Sequence, residues 1–260
     1  MIQAVFLDID NTLTSSVTRA IPQSALEAIA RARANGVRVF AATGRNTRTP
    51  EEGAILRGVT LDGCVALNGQ ICYLADDTIV FRRPLDARDV ATAQRYCDAR
   101  GCAYLVSELN ENYINRISQT VLDFQAHIRI PLYAVHGAQN LSERDIYAFS
   151  PFLDRRAERE LLPQLTHSTA VRYNEITCDI IPREGGKDVG ILKMLAHLGI
   201  PACDSMAFGD GGNDIAMLRA AGVGVAMAGS APDVLAAADY VAESPDADGI
   251  YRTFALYKLI

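Results

Sequence analysis

The sequence predicts an α/β fold, a doubly wound parallel sheet carrying an inserted α+β domain. Short apolar runs alternate with helix-like segments at both ends of the chain, which is the pattern of a parallel sheet covered on both faces. Several of these runs stop at an acidic or polar cluster rather than at a simple turn. The texture changes between residues 83 and 183, where strands are shorter and helices lie irregularly between them. A core formed by 1–82 and 184–260, interrupted by an insertion at 83–183, satisfies all three features.

Ala4 to Ile9 is nearly continuous in apolar residues and reads as a strand buried on both faces, with Asp8 near its end. Pro22 to Asn35 reads as a helix with Leu26, Ile29 and Ala30 on one side and Gly36 closing it. Val37 to Ala42 is a second buried strand, and Thr49-Pro50-Glu51-Glu52 has the form of a capped helix start. Cys64 to Leu67 is a third strand, reaching a turn at Asn68-Gly69. In the insertion, strands are expected at 103–107, 113–117, 146–149 and 177–181, with helices at 87–99 and 155–165. Lys187 to Leu198 is a helix by the spacing of Ile191, Met194, Leu195 and Leu198, ended by Gly199. Strands at 205–209, 223–227 and 240–242 and helices at 214–221 and 232–238 complete the core.

With 260 residues, of which 49% are apolar, the chain can bury a sizeable core. A net charge of −6 argues against a nucleic-acid partner, which calls for a basic face. No apolar stretch approaches the roughly 18 residues of a membrane span, and Met1 to Leu7 lacks a basic leader, so no membrane partner and a cytoplasmic location are expected. The six cysteines include no Cys-x-x-Cys pair, which removes zinc-ligand spacing and a disulfide framework from consideration.

Three polar clusters fall at or just past predicted strand ends: Asp8-Ile9-Asp10-Asn11-Thr12, Thr43-Gly44-Arg45 and Asp210-Gly211-Gly212-Asn213-Asp214. In an open parallel sheet the ligand crevice lies outside those ends, so segments remote in sequence converge there. The convergence assembles Asp8, Asp10, Asp210 and Asp214 with Thr43, Asn213 and, at a helix start, Lys187. Two carboxylates about 4 Å apart repel by roughly 4 kcal/mol at an effective dielectric of about 20, so such a cluster calls for a cation. Oxygen ligands without thiolate or imidazole select a hard ion, Mg²⁺ above all. A hard ion among carboxylates suits phosphoryl chemistry on a small phosphorylated metabolite. Asp8 can serve as nucleophile, giving an aspartyl-phosphate. Asp10, two residues on, can serve as general acid and then base, which requires a proton held at neutral pH by its acidic neighbours. Thr43, the amides after it and Lys187 can donate to the phosphate, and Arg45 can bind phosphate or leaving group, or pair with a surface acid.

Nucleotide-binding signatures fail where tested. Gly186-Lys187 is followed by Asp188, and Ile181 stands where a P-loop has its first glycine. Met227 occupies the last position of the Gly-x-Gly-x-x-Gly that begins at Gly222.

These residues, in this order, resemble the four motifs of the haloacid dehalogenase superfamily, in the Cof-type branch with a type II cap. Asp8-Ile9-Asp10-Asn11-Thr12-Leu13 is similar to the first motif, Thr43-Gly44-Arg45 to the second, Lys187 to the third and Gly209 to Asp214 to the fourth. The resemblance implies a Rossmann-like core and a specificity-setting cap, with Asp8 as nucleophile and Asp10 as acid and base. It also implies Mg²⁺ held by Asp8, the Asp10 carbonyl and Asp210, with Asp214 assisting, and phosphate held by Thr43, Gly44, Lys187 and Asn213. Asn68-Gly69 matches a turn of this branch, which makes Asn68, with Arg45, a candidate for substrate binding. Asn11 stands where the family usually has glycine; asparagine tolerates unusual backbone angles. The implied activity is that of the bacterial sugar-phosphate phosphatases, with hexose phosphates foremost. A phosphomutase, a pyridoxal- or flavin-phosphate phosphatase and a non-catalytic phosphate-binding protein are the alternatives on the same scaffold.

Overall fold

A computed structural model describes residues 1–128, 130–137, 140–172 and 175–260. They form two compact units, one of Met1–Gly44, Ile55–Arg82 and Gly186–Ile260, the other of Arg45–Ala54 and Arg83–Gly185.

The chain opens with β1 (Ala4–Leu7), α1 (Gln23–Ala34) and β2 (Arg38–Ala42), followed by the one-turn α2 (Pro50–Gly53) and β3 (Gly63–Ala66). A hairpin of β4 (Ile71–Leu74) and β5 (Ile79–Arg82) comes next. Then come α3 (Ala87–Arg100), β6 (Tyr104–Ser107), β7 (Asn112–Ile114), α4 (Gln119–Ile128), β8 (Ala134–Val135), β9 (Ala148–Pro151), α5 (Arg155–Leu161), β10 (Ser168–Arg172) and β11 (Cys178–Pro182). The chain closes with α6 (Lys187–Leu198), β12 (Ser205–Gly209), α7 (Ile215–Ala220), β13 (Val223–Met227), α8 (Pro232–Leu235), β14 (Tyr240–Ala242) and α9 (Gly249–Leu256).

In the first unit the strands lie in the order β14-β13-β12-β1-β2-β3-β4-β5. All pair in parallel as far as β3, and β4 and β5 add antiparallel. The doubly wound sheet expected from the sequence is therefore present, extended by a hairpin that the sequence reading does not include. Alternation along β1 explains its unbroken apolar run: Val5 and Leu7 pack with Ala28 and Ile29 of α1 and Phe254 of α9, while Ala4 and Phe6 pack on the other face with Ile191, Met194 and Leu195 of α6. Each such buried large side chain contributes about 1.5–3 kcal/mol, which holds the central strands rigid beneath the site.

The second unit is a sheet of order β10-β11-β9-β6-β7-β8, antiparallel apart from the β7–β8 pair. One face packs on Val90, Ala93 and Cys97 of α3 through Tyr104, Val106 and Phe149, and the other on Val121 and Phe124 of α4 through Leu105 and Ile114. Residues 45–54, which the sequence reading assigns to the core, fall with this unit. The buried Glu52 carboxyl accepts the Asn46 N–H at 2.6 Å within the segment and Asn112 Nδ2 at 2.8 Å from 60 residues away, and this second bond ties the segment down with no local sequence signature. Thr49 caps α2 as expected, accepting from the Glu52 N–H.

Candidate active site

Asp8, Thr43 and Asp210 each directly follow a strand, and the three strands β1, β2 and β12 are neighbours in the sheet. The Asp8 N–H still donates to the Phe208 carbonyl at 3.0 Å, so the carboxylate leaves the last paired residue of a rigid strand. Residues Ile9–Leu13 then coil in one wide turn, closed by Leu13 N–H to the Asp8 carbonyl at 3.1 Å and Thr14 N–H to the Ile9 carbonyl at 2.8 Å. Asn11 adopts the left-handed conformation (φ 59°, ψ 3°), which asparagine reaches more readily than other non-glycine residues and which explains its place here. Its Nδ2 and the Thr12 hydroxyl donate to Asp210 at 3.4 and 3.1 Å, joining the first cluster to the last.

Lys187, the first residue of α6 and almost fully buried, places Nζ 2.6 Å from Asp8 Oδ1 and 2.6 Å from Asp214 Oδ1. Its position follows from a close backbone approach. The turn at Gly69 (φ 90°) lies so near the Gly186 carbonyl that a Cβ at Gly69 would overlap it. Asp214 works on two sides, holding Lys187 with one oxygen and accepting the Asp210 and Gly211 N–H groups at 3.0 and 2.9 Å with the other.

Burial pushes the Asp8 carboxyl well above its ordinary range; Lys187 pulls it down, and Asp214, Asp210 and Asp10 push it up again. Asp210 is likewise raised by burial and by Asp214, against the bonds from Thr12 and Asn11. Burial alone would lower Lys187, but the charges of Asp214 and Asp8 outweigh it and hold the ammonium protonated. Three carboxyl groups thus face one ammonium, and a further cation is what this set lacks. The residues fit one: Asp8, Asp210 and Asp214 offer oxygens that all lie within 4.8 Å of one another. The Asp10 carboxylate is not a member of that group. All-oxygen donors of this kind match a hard divalent ion.

Thr43 is buried, with its N–H on the Val65 carbonyl at 2.8 Å and its carbonyl accepting the Asn68 N–H at 2.9 Å. Asn213 meets Asn68 side chain to side chain. Asp8, Asp10, Thr43, Gly44, Asn68, Lys187, Asp210, Asn213 and Asp214 thus all lie in the first unit, whereas Arg45 belongs to the second. Thr12 and Gln70 also brace the site, yet the sequence reading gives them no role. Thr12 lies inside a quoted motif, but its hydroxyl direction is invisible in sequence; Gln70 adjoins the Asn68-Gly69 turn.

A family model for haloacid dehalogenase-like hydrolases matches residues 5–254. A solved HAD subclass IIB sugar phosphatase superposes with a TM-score of 0.90 at 31% identity, covering 99% of this chain and 100% of that one. The Bacillus subtilis protein YkrA, named as a phosphatase, is 25% identical over 95% of this chain and 94% of its own length. A Streptococcus pyogenes protein, whose name joins a phosphatase to a peptidyl-prolyl cis-trans isomerase, is 29% identical over 99% of this chain, which spans 54% of that longer protein. The chain belongs to the haloacid dehalogenase-like hydrolase family, as one of its phosphatases. Among the described residues no helix is long and apolar enough to cross a membrane.

Proposed function

We propose that the protein is a Mg²⁺-dependent phosphatase of small phosphorylated metabolites, hexose phosphates foremost, working through an aspartyl-phosphate on Asp8. The observation that carries this reading is the joining of Asp8, Lys187 and Asp214 by two 2.6 Å contacts beside Asp210 at adjacent strand ends. The sugar-phosphate preference draws on the solved relative described as a subclass IIB sugar phosphatase.

Asp8, Asp210 and Asp214, with the Asp10 carbonyl, would hold the ion. Bound there, it supplies positive charge to the carboxylates and to the phosphoryl oxygens. An Asp8 oxygen attacks phosphorus in line with the ester oxygen, and the phosphorus–ester bond breaks. Asp10 delivers its proton to the leaving alkoxide, so an alcohol departs. Asp10, now a carboxylate, takes a proton from water, whose oxygen attacks the acyl phosphate and frees Asp8 and inorganic phosphate. Lys187 orients Asp8 and neutralises phosphoryl charge, while Thr43, the Gly44 amide and Asn213 donate to the phosphoryl oxygens. The insertion at 83–183 is assigned to leaving-group selection, and Arg45 to contact with the substrate.

Phosphate release from hexose, pentose, triose, pyridoxal and flavin phosphates, with and without Mg²⁺, tests the reading. Metal-dependent release led by hexose phosphates supports it. Release confined to pyridoxal or flavin phosphates moves the substrate class, and transfer to a second sugar without release makes the enzyme a mutase.

A further inference from the structure

The Asn68 side chain is shared between two of the polar clusters. Its Oδ1 accepts from Asn213 Nδ2 at 3.0 Å. The Oδ1 and Nδ2 end of its amide also faces Gly44, where an added Cβ would stand 3.3 Å from both atoms. A side chain at Gly44 would press on the Asn68 amide, which would have to give by a few tenths of an ångström. The Asn68 main chain is held as firmly: its N–H donates to the Thr43 carbonyl at 2.9 Å, in a left-handed conformation at φ 52° and ψ 38°. Gln70, fully buried, donates Nε2 to the Asn68 carbonyl at 3.1 Å. In doing so it leaves its own Oε1 buried without a hydrogen-bond partner among the described residues, an unfavourable state that a flipped amide would exchange for two oxygens face to face.

An amide has two N–H groups. With one committed to Asn68, the plane of the Asn213 amide is set and the direction of its second N–H is fixed. We infer that Asn68 is a positioning residue for phosphoryl transfer, holding the Asn213 amide where its remaining N–H meets a phosphoryl oxygen, and not itself a substrate contact. The inference rests on the phosphatase reading above and replaces the substrate-binding role that the sequence suggests for Asn68.

A double-mutant cycle in the full-length, Mg²⁺-loaded protein tests it, with kcat/KM and Tm measured for Asn68→Gly, Asn213→Ala and the pair. Glycine keeps the left-handed backbone open, so Asn68→Gly removes only the side chain. Asn213→Ala is expected to lower kcat/KM by about 10-fold or more and Asn68→Gly by about 3- to 10-fold, with the pair no more than about 2-fold below Asn213→Ala. Losses that multiply in the pair, or an Asn68→Gly variant as active as the parent, overturn the inference. Should Asn68→Gly fold poorly, Gln70→Leu takes its place, with a smaller loss that also vanishes in the Asn213→Ala background. If the parent releases no phosphate from any ester, the phosphatase reading fails. The same cycle is then read on binding of inorganic phosphate in Mg²⁺ by calorimetry, with the same non-additivity expected. A parent that neither releases nor binds phosphate overturns both.

Discussion

Lys187 Nζ and Asp8 Oδ1 lie 2.6 Å apart although 179 residues separate them in the chain. The same ammonium reaches Asp214 at the same distance, so one buried cation organises two buried carboxyl groups, one at the end of β1 and one at the start of α7. Such a centre is stable only as a set, because any one member left alone is a desolvated charge.

Replacing Lys187 by Met therefore leaves Asp8 and Asp214 facing each other without a counter-charge. Breaking a buried ion pair by removing one partner costs about 3–5 kcal/mol, which in a chain of this size lowers Tm on the order of 10 °C. Calorimetry of the metal-free variant checks this, and Mg²⁺ is expected to recover part of the loss. An unchanged Tm would show that the ammonium carries none of this burden.

Removing the metal is expected to abolish phosphate release and to lower stability. A ligand bound only to the folded state at about 100 times its Kd stabilises by about 2.7 kcal/mol, so Tm should rise with Mg²⁺ concentration. Asp210→Asn should lose most of that rise. Release that persists in excess EDTA contradicts the metal assignment.

Asp62 gives a pH dependence away from the site. Burial alone would raise its carboxyl, but hydrogen bonds from Arg33, the Val39 N–H and Arg38 outweigh it and hold it below the ordinary range. The unfolded chain thus takes up this proton at higher pH than the folded one. The stabilisation is complete above the ordinary carboxylate value of about 3.9 and fades as pH falls through the lower folded value. Asp62→Asn should lower Tm at pH 7, with the gap to the parent narrowing as pH falls below the ordinary carboxylate value of about 3.9. A gap that is constant with pH removes the ionised carboxylate as its cause.

Asp10→Asn should lower the rate on alkyl phosphates by about 10²- to 10⁴-fold, the usual contribution of general acid catalysis. A p-nitrophenyl ester leaves without needing a proton, so the first step should suffer far less with that substrate, read as the burst of nitrophenolate in rapid mixing. Equal losses in that step for both esters remove Asp10 as the acid.

Much of the candidate site's layout was legible because its polar residues come in short clusters that follow neighbouring strands. An apolar run such as Ala4–Leu7, ended by Asp8, announces both a buried strand and an acid at its carboxyl end. The repeat of Ile191, Met194 and Leu195 sets α6, and with it the place of Lys187. What escaped depends on contacts that sequence spacing does not encode. The β4–β5 hairpin shifts register opposite Cys72 and Tyr73, where Val80 of β5 has no partner and the alternation by which strands are recognised breaks. Segment 45–54 joins the second unit through Glu52 and Asn112, 60 residues apart. The sequence places Asp214 among the acids that converge on the candidate site, but its capping of the Asp210 and Gly211 amides follows only from the fold of the turn. Asn11 was legible as a departure from glycine, whereas its bond to Asp210 was not.

The most direct test of the central claim is to trap the covalent intermediate. Mg²⁺-loaded protein mixed with a hexose phosphate is acid-quenched within milliseconds, reduced with borohydride and mapped by peptide mass. The account predicts conversion of Asp8 to homoserine, with no such product in Asp8→Asn, which should also release phosphate roughly 10³-fold or more slowly. Reduction at another carboxylate, or an Asp8→Asn variant that turns over like the parent, would contradict it.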